Sequence, residues 1–214
     1  MERRQSFQLL LKRAFDVLWA LLLLVPAALL LALGGLLVKL CSPGAPVLFK
    51  QLRVGFRRRP FIIYKLRSMT DERGADGRPL PSEQRLKWWG KVLRGSNIDE
   101  LPQILNILKG EMSWIGPRPL LPEEMAVMTE SEQEERQAMR PGIAGWEAVN
   151  EGKSSSRREM AMFDLEYVRN WSVWFDVKIF LKTVAIVFLK LRPGEEGRAP
   201  KLDEREFVSQ RQGK

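Results

Sequence analysis

The sequence predicts an α+β protein, mainly helical. It combines an N-terminal re-entrant membrane helix broken at Pro26 with a compact cytosolic domain holding a short β-hairpin and interfacial amphipathic helices. Three observations predict this class. Residues 17–38 run without a charge, from Val17 to Val38. Two short β-type stretches flank a basic segment between residues 47 and 64, and most of the chain beyond residue 82 repeats at helical spacing. The organisation that results is residues 1–40 as membrane helix, 41–192 as a single domain, and 193–214 as a polar tail.

A straight helix over the uncharged run would reach roughly 33 Å, enough to span hydrocarbon. Pro26 lies near its middle, where it removes a backbone donor and clashes with the carbonyl of Leu22, so a bend is expected there. Both flanks are basic: Arg3, Arg4, Lys12 and Arg13 before the run, Lys39, Lys50, Arg53 and Arg57 to Arg59 after it. Positive residues favour the cytoplasmic side, and neither end wins. A helix that enters, bends at Pro26 and returns to the same face meets both facts; a plain spanning helix stays the alternative. A cleaved signal peptide fits less well, because such peptides have shorter apolar cores.

The turn-rich Ser42-Pro43-Gly44-Ala45-Pro46 marks the boundary of the domain. Val47–Phe49 and Phe61–Tyr64 read as strands joined by the basic segment 53–59. Residues 71–82 read as an exposed loop, Glu83–Leu93 as a helix, and a second helix starts near Asp99 and ends at Gly110. Residues 122–139 are acidic and helical, 140–146 form a tight turn, and a helix ends near Tyr167. Val173–Leu191 is amphipathic, with Lys178, Lys182 and Lys190 on one face. It fits a helix lying among lipid headgroups or, alternatively, a buried core helix.

A net charge of +9 suits an anionic partner: nucleic acid, a phosphorylated metabolite or an acidic membrane surface. The single cysteine, Cys41, excludes an internal disulfide framework. The chain has no histidine, so acid, base or nucleophile chemistry falls to carboxylates, hydroxyls, Cys41 or a metal. The adjacent carboxylates Asp99 and Glu100, bracketed by Arg94 and Arg118, are the prime candidates. Ser96/Asp99 and Asn97/Glu100 also fit capping-box spacing, a purely structural role. Neighbours on a helix diverge by about 100°, so the two acids cannot do the same job. One can face a phosphorus atom while the other holds an ion; Mg²⁺ suits carboxylate and phosphate oxygens where no sulfur or imidazole cluster exists. Arg94 and Arg118 can grip phosphate in a fork, and Lys65 and Arg67 close a predicted strand beside them.

These blocks, taken in order, identify a family. Lys-Arg-Ala-Phe-Asp at 12–16, Ser-Pro-Gly-Ala-Pro-Val at 42–47, Gln-Leu-Arg-Val-Gly at 51–55 and Tyr-Lys-Leu-Arg-Ser-Met at 64–69 come first. Asp-Glu-Leu-Pro-Gln at 99–103, Asn-Ile-Leu-Lys-Gly at 106–110, Gly-Pro-Arg-Pro at 116–119, Arg-Pro-Gly-Ile-Ala-Gly-Trp at 140–146 and Tyr-Val-Arg-Asn-Trp-Ser at 167–172 complete the set. From about Lys12 to Leu191 the chain resembles the bacterial sugar transferases, monotopic phosphoglycosyl transferases acting on a polyprenol phosphate carrier, in their small single-domain form. The resemblance implies that Asp99 attacks the sugar-bearing phosphate of a UDP-sugar, that UMP leaves, and that undecaprenyl phosphate then collects the phosphosugar. Glu100 matches the second acid, which binds metal or assists. Lys65, Arg94 and Arg118 match positions around the phosphates, Asp164 an acidic position, and Arg140, Pro141, Gly142 and Gly145 a turn near the nucleotide.

It further implies Mg²⁺ as cofactor, membrane lipids as partners, no nucleic acid, and the cytoplasmic face of the bacterial inner membrane. A homodimer is compatible with the sequence, which carries no signal that decides it. A one-step transferase and a non-catalytic basic membrane-binding module are the competing readings. Val25 stands where relatives often have serine before the proline, and Glu147-Ala-Val-Asn-Glu-Gly152 replaces the more usual Ala-Gln-Val-Asn-Gly, which leaves the sugar open.

Overall fold

The computed structural model describes residues 2–153 and 156–190; the expected polar tail at 193–214 and part of the loop at 154–158 lie outside the described residues. Helix α1 spans Glu2–Cys41 and carries Pro26 inside it. The sequence leads to a break at Pro26, but helical turns persist on both sides, so the chain is not divided into two helices there. Asp16, Ala20, Ala27, Gly34 and Val38 are buried on α1. Their separations of four, seven, seven and four residues place them on one stripe of a 3.6-residue helix. The opposite face, including Leu18, Leu22, Val25, Leu29, Leu33 and Leu36, is exposed.

The domain touches α1 on both sides of Pro26. Before it, Lys12 pairs with Asp176 at 2.6 Å, and Arg13 donates to the carbonyls of Ile107 and Leu108 at 2.7 and 3.2 Å. Asp16 accepts from the Ser113 hydroxyl at 2.9 Å and the Trp114 amide at 3.1 Å. After Pro26, Val38 packs with Leu66, Trp89 and Leu93. Between the two, Ala20 and Ala27 join a core of Phe61, Ile63, Ile104, Ile107 and Met112.

Strands β1 (Leu48–Val54) and β2 (Pro60–Leu66) form the expected antiparallel hairpin, longer than the β-type runs alone indicate; Arg53 belongs to β1 rather than to the connection. The helix expected over 83–93 is two pieces, α2 (Ser82–Arg85) and α3 (Trp88–Gly95), parted where Leu86 and Lys87 leave helical backbone. A 3₁₀ helix, Ile98–Gln103, leads into α4 (Ile104–Lys109), which stops at Gly110 in the left-handed conformation, φ 83°, as glycine permits. Residues 142–144, expected as part of a tight turn, are instead β4 (Gly142–Ala144), parallel to β3 (Ser113–Ile115). Those residues fall in an extended pair because Gly116, Gly142 and Gly145 let two backbones cross: a Cβ on Gly142 would lie 2.1 Å from the Gly116 nitrogen.

Helices α5 (Glu130–Arg136), α6 (Arg157–Arg169) and α7 (Val173–Lys190) complete the domain. On α7, Lys178 and Lys182 flank the packed face and set their ammonium groups over the Trp146 ring, at 5.2 and 4.6 Å from its centroid. Ile179 is buried, and the outward stripe is apolar: Val173, Trp174, Val177, Phe180 and Leu181.

Candidate active site

The acidic pair sits where β2, α3 and the 3₁₀ helix meet. Asn97 reverses the chain after α3 with φ 56°, a left-handed conformation that asparagine tolerates. Its side chain caps nothing, and the Ser96 hydroxyl turns back to the Val92 carbonyl at 2.8 Å. Neither capping box forms, so both carboxylates are left for other work.

Successive residues of a 3₁₀ helix diverge by about 120°, and the two acids meet different surroundings. Asp99 is buried, 6% exposed. Glu100 turns to Lys65 of β2, whose ammonium lies 2.6 Å from its Oε1. Burial, then the neighbouring charge of Glu100, pushes the Asp99 carboxyl up to about 6, against the opposing pull of Lys65 and Arg94. Arg94 is held by its Nε, which donates to the Ser68 hydroxyl at 2.9 Å. That contact depends on Gly90, because a Cβ there would fall 1.9 Å from the Ser68 carbonyl oxygen. The position of Arg94 thus rests on Ser68 and Gly90, which composition and spacing do not single out.

Lys65 and Arg94 are therefore brought to the pair, and the other candidates are engaged elsewhere. Arg67 donates to Asp71 at 2.6 Å and to the Pro46 carbonyl at 2.8 Å. Arg140 donates to the Gly110 carbonyl at 2.9 Å and lies over the Phe56 ring. The Pro141 carbonyl accepts from the Ser113 amide at 2.9 Å, and Gly142 and Gly145 are packed on the backbone of Gly116. Asp164 is buried against Arg136 of α5, at 3.1 Å from its Nε, and accepts from the Arg118 amide at 3.3 Å. Arg136 also donates to the Arg118 carbonyl. Asp164 thereby fixes the backbone that projects the exposed side chain of Arg118. Arg118 lines a cavity of about 110 Å³ with Glu147, Arg157 and Asp164, below the roughly 300–1,000 Å³ of sites that enclose a drug-sized ligand.

No group of three or more potential ligands that could hold a metal occurs among the described residues. Two adjacent carboxylates do fit a hard divalent cation of the kind that takes most of its oxygens from substrate phosphate and water.

Two adjacent carboxylates in differing environments, with Lys65 and Arg94 beside them, suit chemistry on a phosphorylated substrate. The bacterial sugar transferase family model matches residues 7–190. The chain is 42% identical over 181 residues to a protein of Bacillus subtilis (strain 168) named "Uncharacterized sugar transferase EpsL", covering 85% of this chain and 89% of that one. It is 42% identical over 192 residues to undecaprenyl-phosphate glucose phosphotransferase of Komagataeibacter xylinus, covering 84% of this chain and 36% of the relative. It is 38% identical over 187 residues to the UDP-N-acetylgalactosamine-undecaprenyl-phosphate N-acetylgalactosaminephosphotransferase of Aeromonas hydrophila, covering 83% and 43%. The chain thus spans most of the first relative and well under half of the other two. It belongs to the bacterial sugar transferase family.

Proposed function

We propose that the protein transfers a phosphosugar from a UDP-sugar to undecaprenyl phosphate, giving the undecaprenyl diphosphate sugar and UMP, through a covalent intermediate on Asp99. The observation that carries this reading is Asp99 itself: buried, free of any capping role, and flanked by Lys65 and Arg94. A carboxylate oxygen of Asp99 attacks the sugar-bearing phosphorus, and the bond from that phosphorus to the bridging oxygen breaks as UMP departs. An oxygen of the lipid phosphate then attacks the same phosphorus, and Asp99 is released as a carboxylate. Two displacements let a soluble donor and a lipid acceptor use one site in turn.

Lys65 holds Glu100 and presents positive charge to the transferring group, and Arg94 does the same from α3. Asp99 and Glu100 would hold Mg²⁺, which when bound supplies charge neutralisation at the phosphates. Arg118, steadied by Asp164, is assigned to a donor phosphate. The named relatives differ in sugar, glucose in one and N-acetylgalactosamine in another, so the donor is to be found by screening.

α1 is assigned as re-entrant, with the domain on the cytoplasmic face of the inner membrane. Support comes from Lys12, Arg13 and Asp16 before Pro26 and Val38 after it, which all contact the same domain. A helix with both ends on one side of the bilayer can make both sets. The apolar stripes on α1 and α7 supply surface for lipid.

Mixing enzyme and a reactive UDP-sugar without acceptor should release UMP in a burst of about one per site. Intact-mass measurement should show a phosphosugar adduct on wild type and none on Asp99→Asn. No burst from an enzyme that turns over with both substrates would leave the one-step route.

A further inference from the structure

Strand β2 ends its sheet: β1 pairs with one edge, and no strand covers the other among the described residues. That open edge is occupied by one side chain. Asn106 of α4 is fully buried. Its Oδ1 accepts from the Tyr64 amide at 3.2 Å, and its Nδ2 donates to the Ile62 carbonyl at 2.7 Å. The N–H and C=O of one residue of a parallel third strand would offer the same donor and acceptor. Nδ2 also donates to Glu111 Oε2 at 2.7 Å, while the Asn106 carbonyl accepts from the Glu111 and Met112 amides. Both hydrogens and the oxygen of the carboxamide are thus used, and the register of the helix along the strand is fixed. Lys65 follows Tyr64 directly on β2, and Glu100 precedes Asn106 on the same helical segment.

We propose that Asn106 is a positioning residue: its carboxamide stands in for a missing β-strand and thereby sets the approach of Lys65 to Glu100 beside Asp99. The inference rests on the reading of Asp99 and Glu100 as the reacting pair. Other apolar contacts, such as Ile104 and Ile107 with Phe61 and Ile63, hold the helix against the strand but leave sliding along it open. A carboxamide bonded to two backbone groups does not. Aspartate is nearly isosteric yet lacks both donors, and it would set a carboxylate against Ile62 O and Glu111.

Two measurements test this on the full-length protein in detergent micelles. The first is hydrogen exchange at single residues of β2. In wild type the Tyr64 amide should be protected although it lies on the free edge. In Asn106→Ala its exchange should rise about 100-fold, while Ile63 and Lys65, whose amides alternate toward β1, change less than about threefold. Equal acceleration of all three would mean general loosening and overturn the proposal. The second is kinetic coupling, with kcat expressed per site that forms the UMP burst. Asn106→Asp should lower kcat about 30-fold in wild type, and less than about threefold once Lys65→Met has removed the group it positions. The same factor in both backgrounds would overturn the proposal. Wild type that turns over no UDP-sugar at all sinks the functional reading instead, and the exchange result at Tyr64 stands apart from that outcome.

Discussion

At Asp99, burial couples the protonation of one carboxyl to the stability of the fold. Its carboxyl is raised from the ordinary 3.8 to about 6, so the folded protein holds that proton more tightly than the unfolded chain. The stability tied to this proton is fully present below about pH 4 and is lost as pH rises through 6. Asp99→Asn, which carries no charge to bury, should therefore be more stable than wild type at pH 7.5, by on the order of 1–3 kcal/mol in EDTA. The gain should shrink toward zero as the pH is lowered from 6 to 4. Thermal unfolding of both proteins across that range checks it, and a constant difference would contradict the assigned cause. In the proposed mechanism the ionised form attacks, so burst rates should fall below about pH 6.

At the scale of elements, the helical segment 98–109 is held at its C-terminal end by two arginines from elsewhere in the chain. Arg13 from α1 binds the carbonyls of Ile107 and Leu108, and Arg140 binds that of Gly110, satisfying groups that a helix C-terminus leaves open. Removing Arg13 should leave carbonyls unpaired at the end of the segment that carries Asp99. Arg13→Ala should lower the urea midpoint by the equivalent of about 1–3 kcal/mol, and Arg13→Lys by less. α3 depends on a close approach instead. Gly90→Ala would drive a methyl into the Ser68 carbonyl and displace Arg94. It should destabilise by about 2 kcal/mol or more and weaken donor binding, read as a higher KM for the UDP-sugar. A variant with unchanged Tm and KM would show that α3 can move without effect.

The whole molecule turns on how α1 meets the bilayer. With Cys41→Ser as background, Gln8→Cys and Gly44→Cys should react with an impermeant maleimide from the same side of sealed vesicles. Labelling from opposite sides would establish a spanning helix. The outward stripe of α7 gives a second measurement. Trp174 is 76% exposed and lies on the face of Val177 and Leu181. Trp174→Glu should reduce flotation of the protein with anionic vesicles after mild extraction, with little change in thermal stability because the residue packs on nothing inside.

The sequence by itself determined the long apolar helix, the β-hairpin, the stop at Gly110 and the acidic pair, because each is written in a local pattern of charge, spacing or turn residues. The Lys-Arg-Ala-Phe-Asp block was legible as a motif, but its task was not: Lys12, Arg13 and Asp16 bind groups about a hundred or more residues away along the chain. Only the tertiary structure decided that Lys65 and Arg94 reach the acids while Arg67 and Arg140 do not. It alone set Lys178 and Lys182 over the Trp146 ring and made an extended strand of residues 142–144. Those outcomes depend on which surfaces meet, on backbones passing within a glycine's width, and on burial. Such conditions are set jointly by segments far apart, and no window of sequence contains them.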